Sequence, residues 1–193
     1  YKKNDKLLIH IPNSIPFVIL LLASFRMGIV AVTTNPNLTI RELNYQFKQS
    51  GSKNIISIQS NQNNNISSSN VTLNNNTLVD FMNLINKFDN KFTPENVNLT
   101  DEATVLFTSG TTNLPKGVIS THSNYINKIK SVSSILRLNS NDRHYLTLPL
   151  FHTNGQYSLL AVLLKGGSAV ICSRFSASNY FKIARWNGQK MWD

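Results

Sequence analysis

The stretch LFTSGTTNLPKGV, residues 106–118, joins two apolar segments through a loop rich in hydroxyls, with glycines at 110 and 117 and a lysine at 116. Thr108, Ser109, Thr111 and Thr112 surround Gly110, where a backbone without Cβ can aim successive N–H groups at one anion. Pro115 fixes the exit of the loop, Lys116 adds a positive charge, and Gly117 lets the chain turn back into a strand. The combination predicts a cradle for phosphate oxygens. A Walker A loop has Gly and Lys at the same separation as Gly110 and Lys116, but Pro115 stands where its second Gly belongs. Gly117 likewise replaces the hydroxyl residue that would reach magnesium. A plain Ser/Thr-rich turn accounts for the Gly and Pro but not for a lysine and four hydroxyls together.

Outward from the loop, the sequence predicts strands at 103–107 and 118–120 and a helix capped by Ser123 and running to Leu138. Toward the N-terminus, Asn13 or Ser14 can cap a helix that carries Pro16 in its first turn and stops at Gly28. A strand at 29–32 follows. Thr39 and Glu42 form the ends of a capping box, opening a helix that closes at Gly51 before a strand at 54–58. Residues 60–76 turn to Asn, Ser and Gln and are expected to form a surface insertion without chemistry. A short amphipathic helix is expected around 78–88. Further on lie a strand at 144–148, a helix at 156–164 and a strand at 168–171. Helix and strand alternate, which predicts an α/β fold with parallel-rich sheets flanked by helices.

Composition narrows the class. The chain has 193 residues, 41% of them apolar, enough for a packed core. It starts at Tyr1 in a helix-like pattern, so the true N-terminus is expected upstream and targeting signals are not legible. Cys172 alone excludes an internal disulfide framework and suits a reducing compartment. The longest apolar run, residues 15–25, is shorter than the ~20 residues a membrane span needs. The net charge is +10, yet the basic residues are scattered singly with no aromatic interleaving, so no nucleic-acid partner is expected.

TSGTTNLPKGV resembles the signature of the AMP-binding (ANL) superfamily of adenylate-forming enzymes. Its usual form has Gly where this chain has Asn113. Residues 13–56 are similar to the family's early helix, strand and helix. LPLFHTNGQ at 148–156, GGSAVI at 166–171 and RFSAS at 174–178 look like the acyl-CoA synthetase branch, with medium- and long-chain fatty acyl-CoA ligases and the crotonobetaine/carnitine-CoA ligases nearest. The resemblance implies that residues 1–193 are part of the large N-terminal domain of such an enzyme. It also implies that Thr108, Ser109, Gly110, Thr111, Thr112, Asn113, Lys116 and Gly117 bind ATP, with Thr111 and Lys116 assisting catalysis. By the same resemblance His152, Thr153, Asn154 and Gly155 line the acyl pocket, His152 as an aromatic gate. His10, His122 and His144 receive no role.

The implied reaction joins a carboxylic acid, expected to be fatty, to coenzyme A through an acyl-AMP, with ATP and Mg2+. The family's aromatic-Gly-x-Thr-Glu segment, ribose-binding Asp, Arg and C-terminal Lys do not occur in these residues, so no metal ligand is assigned to the chain. After residue 178 the apolar periodicity fades, and a truncated chain is expected. The alternative is a catalytically inactive remnant that binds phosphate or a partner at most. A luciferase-like or peptide-synthetase adenylation domain shares the first half-reaction, but the FHTNG and RFSAS segments argue against it. The cytoplasm and the peroxisome are the compartments expected of such an enzyme.

Overall fold

The computed structural model describes residues 1–58, 70–73, 78–88, 92–108, 114–172 and 175–186. It divides into two units, one of residues Tyr1–Ile11 and Ile15–His122, the other of Pro12–Ser14 and Ser123–Asp193.

The first unit is built on a six-stranded sheet in the order β4-β3-β1-β2-β5-β6. Its strands are β1 (Lys6–His10), β2 (Val30–Thr33), β3 (Asn54–Ile58), β4 (Asn70–Leu73), β5 (Glu102–Thr108) and β6 (Lys116–Thr121). Neighbours run parallel from β4 to β5, and only β6 is antiparallel, returning against β5. Helices α1 (Ile15–Arg26), α2 (Ile40–Ser50) and α3 (Leu78–Ile85) connect them. Strands covered on both faces need apolar side chains at successive positions, and Leu8, Val30, Val32, Ile55 and Val105 meet Leu43 of α2 in one buried cluster.

The sequence placed α2 closely. Thr39 accepts a hydrogen bond from the Glu42 amide, and the Glu42 side chain reaches back to the Thr39 amide at 2.8 Å. The Thr39 hydroxyl, which donates to the Glu42 carboxylate at 2.7 Å, and then the Thr39 amide hold that carboxyl below the usual carboxylate range. Gly51 ends the helix at φ +67°, a left-handed conformation that glycine adopts without cost.

The sheet is parallel-rich as expected, and three features differ from expectation. The helix-like start is β1, a central strand, because a short apolar run reads alike in a helix and in a doubly covered strand. Residues 70–73, inside the expected insertion, form edge strand β4, where Val71 and Thr72 suit extended backbone. Strand β6 runs antiparallel to β5 because the seven-residue link between them is too short for a crossover. Of the two candidate caps for α1, Asn13 turns its side-chain amide to Leu148, Leu150 and Cys172 instead.

The second unit holds α4 (His122–Ile135), β7 (Arg143–Leu146), α5 (Thr153–Leu164), β8 (Ser168–Ile171) and α6 (Tyr180–Trp186). Ser123 lies within the first turn of α4 rather than before it. β7 and β8 pair in parallel, with Arg143 opposite Ser168, and α5 is the crossover packed on both. Leu146, Leu150, Leu159 and Val162 are buried at its core. α6 forms where the apolar pattern was read as fading, with Ala184 buried.

Candidate functional site

Two regions carry the residues singled out by sequence, one in each unit. In the first, β5 and β6 make a hairpin whose register sets Thr108 opposite Lys116 and Phe107 opposite Gly117. Directly opposed residues share a face of the sheet, so Thr108 and Lys116 lie on one face where the two strands of the hairpin end. Ser109, Gly110, Thr111, Thr112 and Asn113 lie outside the described residues. Below the loop, Tyr45 of α2 donates a hydrogen bond to the Pro115 carbonyl at 3.2 Å, fixing the backbone one residue before Lys116. Tyr45, Phe107, Pro115, Lys116 and Gly117 share a pocket of about 330 Å3. Gly117 is there for space: a Cβ on it would stand 3.0 Å from a Val105 methyl. Tyr45 was not singled out from sequence, because nothing local marks a helix tyrosine as the partner of a carbonyl 70 positions away.

The carboxyl ends of β1 and β2 hold a second polar pair in this unit. His10 Nδ1 and Thr34 Oγ1 are 3.0 Å apart, and the hydroxyl lies within bonding distance of the Ile9 carbonyl. Burial pushes the His10 pKa down to about 4, so the ring is neutral at pH 7. Connections leave β1 and β2 in opposite directions across the sheet, β1 to its neighbour β2 and β2 over β1 to β3.

In the second unit the chain leaves β7 and forms a tight corner at residues 148–152 before α5. His152 is the N-cap residue, with extended backbone at φ −98° and ψ 145°, and its side chain does not cap the helix. The exposed imidazole instead sits against Phe151, ring centroids 4.3 Å apart. Thr153 is half-buried and Asn154 is exposed at the start of α5. Gly155 is buried, and a Cβ on it would fall 2.4 Å from the Pro149 carbonyl oxygen. Its absent side chain therefore serves the corner's packing. Two residues that sequence reading did not assign here hold the corner. The Asn13 side chain bonds Leu148 and Leu150, and the wholly buried Gln156 donates to the Leu150 carbonyl at 2.7 Å.

Burial lowers the pKa values of His122 and His144, and each has a buried Nε2 without a hydrogen-bond partner. Among the described residues no group of three or more His, Cys, Asp or Glu could hold a metal ion. Among them, too, no helix is long and apolar enough to cross a membrane.

A sequence model of the AMP-binding enzyme family matches residues 1–187. The chain is 33% identical to 4-coumarate–CoA ligase 3 of Arabidopsis thaliana, across 88% of this chain and 33% of that protein. It is 29% identical to 2-succinylbenzoate–CoA ligase of Bacillus licheniformis, across 94% and 37%. Its fold superposes on o-succinylbenzoate CoA synthetase from Bacillus subtilis, in complex with the acyl-adenylate intermediate OSB-AMP, with a TM-score of 0.84 at 28% identity. That match spans 99% of this chain and 49% of the other. The chain thus spans about a third of the length of the curated relatives it matches. The names of these relatives do not support a specifically fatty-acyl assignment. The chain belongs to the AMP-binding enzyme family, and its fold is that of the N-terminal domain of adenylate-forming enzymes.

Proposed function

We propose that this member of the AMP-binding enzyme family supplies the phosphate-binding hairpin and one wall of the acid site to an AMP-forming CoA ligase. The observation that carries the reading is the β5–β6 register, which sets Thr108 and Lys116 side by side at the two stems of TSGTTNLPKGV. A carboxylate oxygen of the acid attacks the α-phosphorus of ATP and the bond to pyrophosphate breaks, leaving acyl-AMP. Negative charge then grows on the departing β- and γ-phosphates. The lysine charge, the Thr108 hydroxyl and the loop groups at 109–113 oppose it there, where stabilisation counts most. Tyr45 keeps Lys116 in place through the Pro115 carbonyl. Coenzyme A then displaces AMP through its thiol. Mg2+ would shield the phosphates, and no residue of this chain is assigned to it.

On the acid side, His152 and Phe151 offer an aromatic edge to the acyl group, with Thr153 and Asn154 beside it. Coumarate and succinylbenzoate each carry a benzene ring, so ring-bearing acids rank ahead of fatty acids as the substrate. The experiment is pyrophosphate release and thioester formation by the complete protein, with ATP, Mg2+, coenzyme A and a panel of aromatic, dicarboxylic and fatty acids. Turnover with a ring-bearing acid supports the reading. Turnover with fatty acids alone would overturn the substrate class, and no turnover with any acid would favour an inactive remnant.

A further inference from the structure

The corner at residues 148–152 has no sheet partner for its backbone, yet its polar groups are engaged. The Asn13 side chain accepts from the Leu150 amide at 2.7 Å and donates to the Leu148 carbonyl at 2.9 Å. The same Nδ2 donates to the Cys172 carbonyl at 3.1 Å, just past β8. One amide thus brackets the ends of both strands of the second unit. From the other side Gln156 donates to the Leu150 carbonyl, and its own oxygen accepts the Tyr125 hydroxyl of α4. The His152 amide donates to the Pro149 carbonyl at 3.1 Å, and Gly155 leaves room for that carbonyl. An amide that donates on one side and accepts on the other cannot be turned over here, since flipping Asn13 would set its oxygen against two carbonyls.

We propose that Asn13 and Gln156 are positioning residues that set the acid selectivity of the Phe151–His152 corner. Backbone satisfied by side chains is held in one conformation, and removing a partner leaves a polar group either exposed to water or unpaired. A corner so pinned presents the Phe151 and His152 rings at a fixed place, so a bound acid meets a preformed edge rather than ordering one. Tyr125 extends the bracket to α4, which makes its hydroxyl a third member of the network, one step removed from the corner. The proposal rests on the assignment of residues 151–155 to the acid site.

The test is steady-state kinetics of the complete protein with Asn13→Ala and, as the milder change that keeps packing, Tyr125→Phe. For Asn13→Ala the KM for the acid should rise about tenfold, the loss expected for one or two ordinary hydrogen bonds, and for Tyr125→Phe about twofold. The KM for ATP should stay within about twofold in both. A stability-matched Leu43→Ala control, which opens the core of the other unit, should leave the ratio of the two constants unchanged. Acid and ATP constants that move together, or an acid constant that does not move in Tyr125→Phe while Asn13→Ala fails to fold, would overturn the positioning role. A wild-type protein that turns over acid while its variants keep their selectivity sinks this inference alone. A wild-type protein with no acid-dependent turnover removes the acid-site assignment and the inference with it.

Discussion

The β5–β6 hairpin and the corner at residues 148–152 both carry candidate binding residues just beyond a strand, but they are held in different ways. The hairpin stems are two paired strands, so Thr108 and Lys116 are placed by ladder hydrogen bonds and one support, Tyr45. The corner follows the end of β7 and is placed by the amides of Asn13 and Gln156 and by the missing side chain of Gly155. A hairpin can tolerate the loss of one side chain because its backbone pairs elsewhere. A corner pinned by side chains should not.

Glycine substitutions test that difference most severely. In Gly155→Ala the new Cβ meets a backbone carbonyl at 2.4 Å that cannot move without breaking the corner, and a loss of about 3 kcal/mol or more is expected. Gly117→Ala meets a Val105 methyl at 3.0 Å, and a side chain can give way, so about 1 kcal/mol is expected. Urea denaturation of the two variants gives the comparison, and equal losses would break it.

Acid acts on buried histidines rather than on the amides that hold the corner. The first unit buries His10 with a pKa near 4, and burial lowers His144 of β7 in the same direction. An unfolded histidine titrates near 6.5, so between about pH 6.5 and 4 the unfolded chain binds a proton that the folded chain refuses. Stability is full above that window and falls as pH drops through it, by about 2 kcal/mol at pH 5 relative to pH 7.5. His10→Asn should flatten this slope in urea titrations run at the two pH values. A slope unchanged in the variant would assign it to other groups.

The smallest effect expected is at Tyr45. Tyr45→Phe removes one hydrogen bond to Pro115, costs about 1 kcal/mol, and should raise the KM for ATP several-fold while leaving the KM for the acid alone. The opposite split would tie Tyr45 to acid binding instead.

The same contrast explains what the sequence disclosed. The role proposed for the hairpin rests on consecutive residue types, so TSGTTNLPKGV stands out in the sequence, and the capping box and Gly51 mark α2 for the same reason. The corner depends on partners far apart in the chain: Asn13 lies 135 residues before Leu148. Read locally, Asn13 looks like a helix cap, and Gln156 like one more residue of an amphipathic helix. β1 was missed because Leu7, Leu8 and Ile9 form an apolar run too short to show a period. His152 and Gly155 were legible only as a pair within a motif. The structure assigns them different work, one exposed beside Phe151 and the other buried against Pro149.

The central claim is that the hairpin opposes charge on departing pyrophosphate, and acid-dependent ATP–pyrophosphate exchange by the complete protein tests it most directly. Lys116 is exposed at the start of β6, so Lys116→Ala should keep the wild-type unfolding midpoint. It should lower the exchange rate about a hundredfold, the usual cost of one lost contact to charge that develops in a transition state. Exchange at the wild-type rate in a folded Lys116→Ala protein would contradict the account.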